Sequence, residues 1–519
     1  MAEVGTLPAP RPDLGERARR EQPPSTAEPD PQPAAGEAAA PIRPDLLLVT
    51  CGAVLMLTQI IAVREIGSAL FPTELVTILS TIMVLSGPSL AYAVADRVSD
   101  RALAWWGGLT TAFLLIMPVG IRFFTGFMVG HGGDLAALGL VFCLGGMFTS
   151  AFFAVFLPRL TGRGGSFRRL YALELAGALT ALGPMAAGLS WGGQRHLFFA
   201  LIVLTLHLAL QRPRLTLAAG LAAAGLALAH PTLDARAAEY YGASCWDLAE
   251  PRSVAVAYSP YQRIEVMQDG PRRLLLLDGL PYYDVGELHW FNHYIAELPG
   301  RFFRDKGRAL VVGSGSLGST AYLVRQGFEV VTVDLDRQVA EFGMTFFHDL
   351  HGLATGDFQL RTGDIRRVLA EHPDERYDLI VLDIPAAFHL HTALLYTPEF
   401  LGRLKERLSP GGMVALNTTG SDLGDGVPAA IIRGACQTFA EVMGVRGGSL
   451  GLIVLYCGTR LPMTVATMKE QLLIDERQGF EIFPDASLRT ATRGVPPHTA
   501  DHLAALLMTL QARVPGWNP

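Results

Sequence analysis

Three glycines and an aspartate stand where they could hold a nucleotide. Gly313, Gly315 and Gly318 have G-x-G-x-x-G spacing directly after the apolar run "ALVV". Glycines at such a turn let the backbone approach a nucleotide at the N-terminus of a helix. Asp334 lies sixteen residues past Gly318, at the end of the next apolar run, where a carboxylate can accept both hydroxyls of a ribose. The pattern predicts an adenosine nucleotide without saying which one.

Two further aspartates help to identify the nucleotide. Asp364 ends the third apolar run in "TGD", and Asp383 ends the fourth in "YDLIVLD". Ligands of open α/β sheets bind at the carboxyl ends of the strands, so Asp364 can meet an adenine amino group and Asp383 can face the reacting atoms. This set resembles S-adenosylmethionine-dependent transferases more than NAD-linked oxidoreductases, for which the glycine spacing is the only support.

The elements that must position these residues are strands and helices in alternation. Helical segments separate several of the five strand candidates, as in a parallel, doubly wound sheet. The strand candidates are "RALVVG", "FEVVTVD", "FQLRTGD", "YDLIVLD" and "GMVALNT". We predict a Rossmann-like α/β domain of the S-adenosylmethionine-transferase type over 301–519. A small N-terminal β-hairpin region with a helix precedes it over 258–300, because "QRIEVMQDGPRRLLLLDGLPYY" predicts strand, Asp-Gly turn and strand.

The preceding part of the chain is typical of a membrane protein. Apolar stretches separated by short polar breaks run from Leu46 to Ala229, with the lengths of helices that cross a bilayer. Seven stretches qualify: 46–63, 73–95, 102–121, 135–158, 170–190, 196–211 and 215–230. We therefore predict a multi-pass transmembrane domain of six to eight helices over 46–230. A disordered Pro/Ala-rich arm precedes it over 1–45, and a connector follows over 231–257.

Arginines predict the orientation of this domain. They cluster in alternate breaks, which the positive-inside rule places in the cytoplasm. These arginines are Arg97, Arg101, Arg159, Arg163, Arg168, Arg169, Arg212 and Arg214. Seven full crossings would leave everything after residue 231 outside the cytoplasm, which conflicts with an intracellular donor. Because the last stretch is short and weakly hydrophobic, we expect it not to span, and we predict an inner-membrane protein with a cytoplasmic catalytic domain.

Composition excludes several classes of partner. Half of the residues are hydrophobic, only 17% are charged and the net charge is −6, so we predict no nucleic-acid surface. The five cysteines form no C-x-x-C pair and are expected to be reduced. His289 and His293 lie one helical turn apart, and His389 and His391 follow Asp383. No further residue has the spacing expected of a third metal ligand. We predict no metal site.

The motifs together resemble the spermidine synthases, or polyamine aminopropyltransferases, in the form fused to a membrane domain. The similarity covers about 258–420 and includes "YQRIEV", "LDG" at 277–279, the glycine loop, the three strand-end aspartates and "LLYTPEF" at 394–400. The stretch "RRLYALELAGALTAL", residues 168–182, is also similar to the membrane part of fused members.

The resemblance implies residue roles. Asp383 would accept the proton of the attacking amine. The donor site would comprise Gln262, Gly313, Ser314, Gly315, Ser316, Gly318, Asp334, Leu335, Asp364 and Ile365. The acceptor site would comprise Asn292, His293 and Tyr396. We expect no prosthetic group, decarboxylated S-adenosylmethionine or S-adenosylmethionine as co-substrate, a small-molecule amine as substrate, and contact with the lipid bilayer; homo-oligomerisation is left open.

The chain departs from the family where a cationic substrate would be held. Ser316 and Ala386 stand where the family usually has Asp, and Phe291, Asn292 and His293 replace a Tyr-His-Glu triplet. The leading expectation is a membrane-anchored aminopropyltransferase acting on putrescine or a related amine. Two alternatives are left open: a methyl or alkyl transferase with an apolar acceptor, and a transporter or sensor with a non-catalytic nucleoside-binding domain.

Overall fold

The computed structural model describes most of the chain. The described residues are 44–503, with gaps at 71–73, 134, 189–201, 205, 208–212, 285–288, 314, 386, 388–389, 419, 425, 448–451 and 476–478. Almost all of the predicted arm 1–45 and most of the candidate helix 196–211 lie outside the described residues.

Helices occupy the first half of the described chain. They are α1 (Pro44–Ala69), α2 (Glu74–Val94), α3 (Asp100–Gly130), α4 (Leu135–Ala154), α5 (Phe156–Gly162), α6 (Phe167–Gly188) and α7 (Pro213–Cys245). Within the described residues, four helical segments are long and apolar enough to cross a membrane: Pro44–Ala69, Thr77–Val94, Asp100–Gly130 and Ala137–Gly162. The helical character predicted for these stretches is observed.

Close contact between α1 and α6 depends on two glycines. A Cβ atom on Gly52 would lie 1.8 Å from the carbonyl oxygen of Glu174, and one on Gly177 would lie 2.0 Å from that of Val49. Only glycine permits this separation, as at the small-residue contacts of membrane helices.

The end of the helical region differs from the prediction. Residues 231–257 were predicted to be a connector, but α7 continues to Cys245 and the first strand begins at Arg252. The helix continues through Pro231. Its composition becomes polar after this residue because Asp234 and Glu239 pair with groups of the neighbouring sheet and helices. The change in composition therefore marks a change of surroundings within one helix.

An antiparallel sheet follows in place of a simple hairpin. Its strands are β1 (Arg252–Tyr258), β2 (Arg263–Asp269), β3 (Arg272–Leu277) and β4 (Leu280–Asp284), paired in chain order. A helical segment then runs through His289–Asn292, a π-helical turn at His293–Glu297 and Leu298–Gly300.

The C-terminal part has a Rossmann-like α/β fold. Its eight strands are β5 (Arg308–Val312), β6 (Glu329–Asp334), β7 (Gln359–Thr362), β8 (Tyr377–Leu382), β9 (Leu408–Asn417), β10 (Glu441–Gly447), β11 (Val454–Gly458) and β12 (Phe480–Phe483). They are ordered β12-β10-β11-β9-β8-β5-β6-β7. The five predicted strands are β5 to β9, and they pair in parallel. The last three strands extend the sheet in antiparallel pairings.

Helices cover both faces of this sheet. They are α8 (Gly318–Arg325), α9 (Arg337–Phe346), α10 (His348–His351), α11 (Ile365–Glu371), α12 (Leu390–Ala393), α13 (Pro398–Lys405), α14 (Gly426–Thr438), α15 (Val465–Asp475) and α16 (Asp485–Ala491). Leu310 and Ile380 point into one core cluster, whereas Val311 and Val381 point into another. Both faces of β5 and β8 are therefore buried, which explains their uninterrupted apolar sequences.

Buried ion pairs join the helical bundle to the antiparallel sheet. Arg263 Nη1, at the start of β2, lies 2.8 Å from Asp234 Oδ2 on α7. Arg122 Nη1 on α3 lies 3.4 Å from Asp234 Oδ1, and Arg122 Nη2 lies 2.8 Å from Glu65 Oε2 on α1. We call these four residues the ionic seam; each is buried. Because they come from four separate elements, the seam fixes the sheet against the bundle.

Replacing Asp234 with alanine should destabilise the protein strongly. Two buried guanidinium groups would lose their shared carboxylate, and uncompensated buried charges cost about 3–5 kcal/mol. Thermal unfolding in detergent would measure the loss. Arg236→Ala on the same helix is the control, because its pair with Glu239 is exposed on the arginine side, and such pairs contribute about 0–1 kcal/mol. Equal melting temperatures for the two variants would contradict a structural role of the seam.

Candidate active site

The candidate site lies where the strand order of the parallel sheet reverses. β5 is flanked by β6 on one side and by β8 on the other, so the loops after β5 and β8 diverge and leave a crevice. Backbone hydrogen bonds fix both strand ends. Gly313 N–H donates to Val333 O at 2.8 Å, and Asp383 N–H donates to Val312 O at 2.9 Å. The glycine loop and Asp383 therefore meet in the crevice.

The glycine loop is packed tightly between Asp383 and the antiparallel sheet. Gly313 has φ +69°, and a Cβ atom on it would lie 2.4 Å from the carbonyl oxygen of Asp383. A Cβ atom on Gly315 would lie 2.6 Å from the ring of Tyr282. Both glycines are thus required by sterics. The loop turns into α8 at Gly318, after Leu317 with φ +65°, and Ser316 within it is buried; Ser314 lies outside the described residues.

Three donors surround the Asp383 carboxylate, which is buried. Ser319 Oγ donates to Oδ2 at 2.7 Å, and Asn292 Nδ2 donates to Oδ2 at 3.1 Å. The Tyr282 hydroxyl lies 3.4 Å from Oδ1 and makes a shorter hydrogen bond to the backbone oxygen of Asp383. Asn292 Nδ2 also donates to Ser319 Oγ at 2.9 Å. We call these four residues the carboxylate cage. Its members come from β4, the following helix, α8 and the end of β8.

The cage sets the protonation of its carboxyl group. Burial raises the pKa of Asp383 from 3.8 to about 7, and the nearby charge of Asp334 raises it further, against hydrogen bonds from Ser319, Tyr282 and Asn292 that lower it. A carboxyl group with a pKa near neutrality can accept a proton and still be deprotonated in a large fraction of molecules. That property suits a general base.

The predicted ribose contacts lie together at the end of β6. The Asp334 carboxylate accepts a hydrogen bond from Asp336 N–H at 2.8 Å, and Leu335 lies between the two, partly exposed. Asp336, which is buried, accepts a hydrogen bond from Gln262 Nε2 at 3.4 Å. The structure therefore brings Gln262 to the Asp334 loop, and it does so through Asp336.

Asp364, the predicted adenine contact, already accepts hydrogen bonds from Arg366 in the helix that follows it. Asp364 caps α11 by accepting from Arg366 N–H at 2.8 Å, and Arg366 Nη2 lies 2.5 Å from its Oδ2. Hydrogen bonding from Arg366 lowers the pKa of Asp364, so the carboxylate is charged at neutral pH. Ile365 is buried at the start of the same helix. An adenine amino group would have to share this carboxylate with Arg366.

The three predicted acceptor residues have different surroundings. Asn292 belongs to the carboxylate cage, and among the described residues its buried Oδ1 has no hydrogen-bond partner. His293 Nδ1 lies 2.8 Å from Glu297 Oε2, one turn along the same helix. The Tyr396 hydroxyl donates to Pro385 O at 3.1 Å and shapes the loop after Asp383. Of the three, Asn292 alone contacts Asp383 through a hydrogen bond given by the structure.

Sequence reasoning missed Ser319, Asp336 and the hydroxyl contact of Tyr282. Ser319 is the second residue of α8, so a hydroxyl just after a glycine loop was a usable signal. Asp336 caps α9 by accepting a hydrogen bond from Gln338 N–H. The sequence "DLDR" contains two aspartates, and the prediction named only Asp334, which ends the strand. Tyr282 had no local signal, because its partner lies about a hundred residues later in the chain.

Comparison with known proteins matches this region to one family. Residues 288–443 match the family model of the spermine/spermidine synthase domain. Residues 288–443 thus resemble a spermine/spermidine synthase domain, and we give this region that name. The chain is 28% identical over 219 residues to a polyamine aminopropyltransferase of Nitrosomonas europaea, covering 41% of this chain and 65% of that protein. It is 27% identical over 193 residues to polyamine aminopropyltransferase 2 of Hyperthermus butylicus, covering 36% and 62%. The chain thus spans less than two thirds of either relative.

A solved structure is also similar. It is a spermidine synthase in complex with the transition-state analogue AdoDATO, with 14% sequence identity and a TM-score of 0.38, covering 47% of this chain and 86% of that one.

The carboxylate cage extends beyond the matched residues. Asp383, Ser319 and Asn292 lie inside the spermine/spermidine synthase domain, but Tyr282 precedes residue 288. Gln262 also precedes it and reaches the domain through Asp336. The antiparallel sheet therefore supplies side chains to both parts of the candidate site.

Asp383→Asn should stabilise the folded protein at neutral pH. Between pH about 4 and about 7 the native carboxyl keeps a proton that the unfolded chain has lost, so wild-type stability falls as pH rises through this window. Asparagine avoids this loss, on the order of 2–4 kcal/mol, and still accepts from Ser319. Thermal unfolding at pH 8 and pH 4 tests this: the variant should melt higher at pH 8, and the difference should vanish near pH 4. Asp374→Asn, an exposed site, is the control; a variant that melts lower than wild type at pH 8 contradicts the assignment.

Proposed function

We propose that this protein is a membrane-anchored aminopropyltransferase that transfers the aminopropyl group of decarboxylated S-adenosylmethionine to putrescine or a related amine. The observation that carries the proposal is the buried Asp383 carboxylate beside the glycine loop, with a pKa of about 7. The spermine/spermidine synthase domain and the polyamine aminopropyltransferase relatives support the same reaction class. The four long apolar helices support insertion in a membrane.

The reaction requires one proton transfer and one displacement at carbon. The amine nitrogen forms a bond to the methylene carbon next to the sulfonium. The carbon–sulfur bond breaks, and its electron pair stays on sulfur, which leaves as neutral methylthioadenosine. Asp383 accepts the proton released by the amine. Because the sulfonium is already a good leaving group, positioning of the two reactants supplies much of the remaining rate enhancement.

Ser319 and Asn292 orient the base. Ser319 Oγ and Asn292 Nδ2 both donate to Oδ2, so Oδ1, with the longer contact from Tyr282, is the oxygen left for an incoming amine. The buried Oδ1 of Asn292 is a second acceptor next to the carboxylate. A primary ammonium has three N–H donors, so a carboxylate oxygen and an amide oxygen suit it.

Replacement of Asp383 by asparagine should abolish transfer. An amide cannot accept the proton, and loss of a general base costs about 100- to 10,000-fold. Methylthioadenosine release from decarboxylated donor plus putrescine, followed by chromatography, measures the rate. In the wild type, kcat/KM should fall as pH drops below about 7, because the base becomes protonated. The matched control Asp374→Asn should keep wild-type activity. An Asp383→Asn variant with full activity would refute the assigned base.

Asn292→Leu should weaken binding of the acceptor amine more than binding of the donor nucleoside. A hydrogen bond to a charged group contributes about 1.5–3 kcal/mol, so the acceptor KM should rise about 10- to 100-fold while the donor KM changes little. Steady-state kinetics with each substrate varied in turn separates the two constants. Because Leu also removes a cage donor, Asn292→Ser, which keeps a hydroxyl, serves as the conservative comparison. A rise confined to the donor KM would contradict the acceptor role and assign Asn292 to the donor site.

A methyl or alkyl transferase is the second candidate. It is favoured by the buried Ser316, which stands in the glycine loop where the family usually has an acid for the donor amino group. Such an enzyme would release S-adenosylhomocysteine from S-adenosylmethionine. Mass spectrometry of the products formed from each donor with a polyamine mixture distinguishes the two reactions, and binding of donor without any product would favour a sensor.

A further inference from the structure

The helical bundle has an arginine-rich end. Arg169 Nη2 lies 2.5 Å from Asp45 Oδ2, and Arg159 Nη1 lies 3.4 Å from Asp100 Oδ1. These contacts gather the first turns of α1, α3 and α6 and the helix α5 at one end of the bundle, which we call the arginine end.

The antiparallel sheet that precedes the spermine/spermidine synthase domain contacts the opposite end. Arg64 Nη2, near the C-terminus of α1, donates to Ser259 O at 2.5 Å. A Cβ atom on Gly279, in the β3–β4 turn, would lie 2.6 Å from Ser68 O of α1. The ionic seam lies at this level too, since it joins Glu65 of α1 to β2 through α3 and α7. We call this the domain end.

The distance between the two ends matches a membrane. α1 has 26 residues and α3 has 31, which correspond to about 39 Å and about 46 Å at 1.5 Å per residue. The hydrocarbon core of a bilayer is about 30 Å thick. If the bundle is inserted as proposed above, the arginine end and the synthase domain therefore lie on opposite sides of the membrane.

The distribution of basic residues indicates which end of the bundle lies on the cytoplasmic side of the membrane. The connections at the arginine end, and the turns beside them, carry Arg97, Arg101, Arg159, Arg163, Arg168 and Arg169. At the domain end, the segments that follow α1 (70–73, "LFPT") and α3 (131–134, "HGGD") contain no Lys or Arg, whereas the segment that follows α6 (189–195) contains Arg195. Two arginines near that end, Arg64 and Arg122, are held by Ser259 and by the ionic seam. Connections rich in Lys and Arg stay in the cytoplasm.

We infer that the spermine/spermidine synthase domain lies outside the cytoplasm. This is the opposite of the placement predicted from an intracellular donor. α7 supports the inference: the helix begins just after Arg212, extends over 33 residues, or about 50 Å, and ends beside the antiparallel sheet. The last apolar stretch is thus the first part of a helix long enough to span.

The sidedness has a consequence for the proposed reaction. If the domain is an aminopropyltransferase, its sulfonium nucleoside and its amine must be taken from the non-cytoplasmic side, or pass through the membrane first. The inference rests on membrane insertion of the bundle and is independent of which group is transferred.

Single cysteines would test the sidedness in the full-length protein. Ser166 is exposed at the arginine end, and Ala466 is exposed on α15, in the C-terminal α/β part that contains the synthase domain. Ser166→Cys and Ala466→Cys would each be made in a Cys245→Ser background, since the other four cysteines are buried. Intact cells, with any outer envelope made permeable, are treated with a membrane-impermeant maleimide. We expect at least tenfold more labelling of Ala466→Cys than of Ser166→Cys.

Controls separate the possible failures. After detergent solubilisation both cysteines should react equally, which shows that each thiol is accessible once the membrane barrier is removed; a melting temperature equal to that of the wild type shows that each variant is folded. Labelling of Ser166→Cys and protection of Ala466→Cys in cells would overturn the inference and leave membrane insertion intact. Protection of both, with the protein recovered in the soluble fraction, would overturn insertion itself. A separate assay of methylthioadenosine release decides the proposed reaction, whichever side is labelled.

Discussion

The buried ion pair between Arg263 and Asp234 connects the two halves of the molecule. Arg263 begins β2 and Asp234 lies on α7, and neither side chain has appreciable contact with water. Burying one such charge without the other is prohibitive, so the pair forms only when helix and sheet are correctly docked. Residue 262, directly before Arg263, is the glutamine that reaches Asp336. The position of the loop after β6, which contains Asp334 and Asp336, is therefore tied to the helical bundle through the neighbouring residues Gln262 and Arg263.

The carboxylate cage shows a related conflict between stability and chemistry. Full burial raises the pKa of Asp383 to about 7, which makes the carboxylate a stronger base and the folded state less stable at neutral pH. Hydrogen bonds from Ser319 and Asn292 offset part of this cost. A carboxylate in water would be more stable and a weaker base, so the burial makes sense as a property of a reactive site.

Local patterns in the sequence predicted the parts of the fold that local forces determine. Five apolar runs were predicted as strands, and all five are parallel strands because both faces of the sheet are covered. Gly313 and Asp383 were placed at one crevice because parallel strands end at the same edge. The ionic seam could not be predicted, because Glu65, Arg122 and Asp234 are each separated by more than fifty residues in the chain. The continuation of α7 was missed for the same reason, since its polar residues are explained only by distant partners.

The departures from the family pattern fall where charged groups of the two substrates would be held. The glycine loop, Asp334 and Asp383 keep the types that a sulfonium nucleoside and a proton acceptor require, whereas Ser316 and Asn292 replace charged or ionisable groups. Hydrogen bonds to charged groups contribute about 1.5–3 kcal/mol each, so neutral replacements at these two positions alter how the donor tail and the amine are held far more than they alter the displacement at carbon. In addition, Tyr282 reaches the cage from a sheet that is docked on the bundle. The proposed reacting groups and the proposed substrate-recognising groups are thus under different constraints, and the substrates can change while the proposed base is retained.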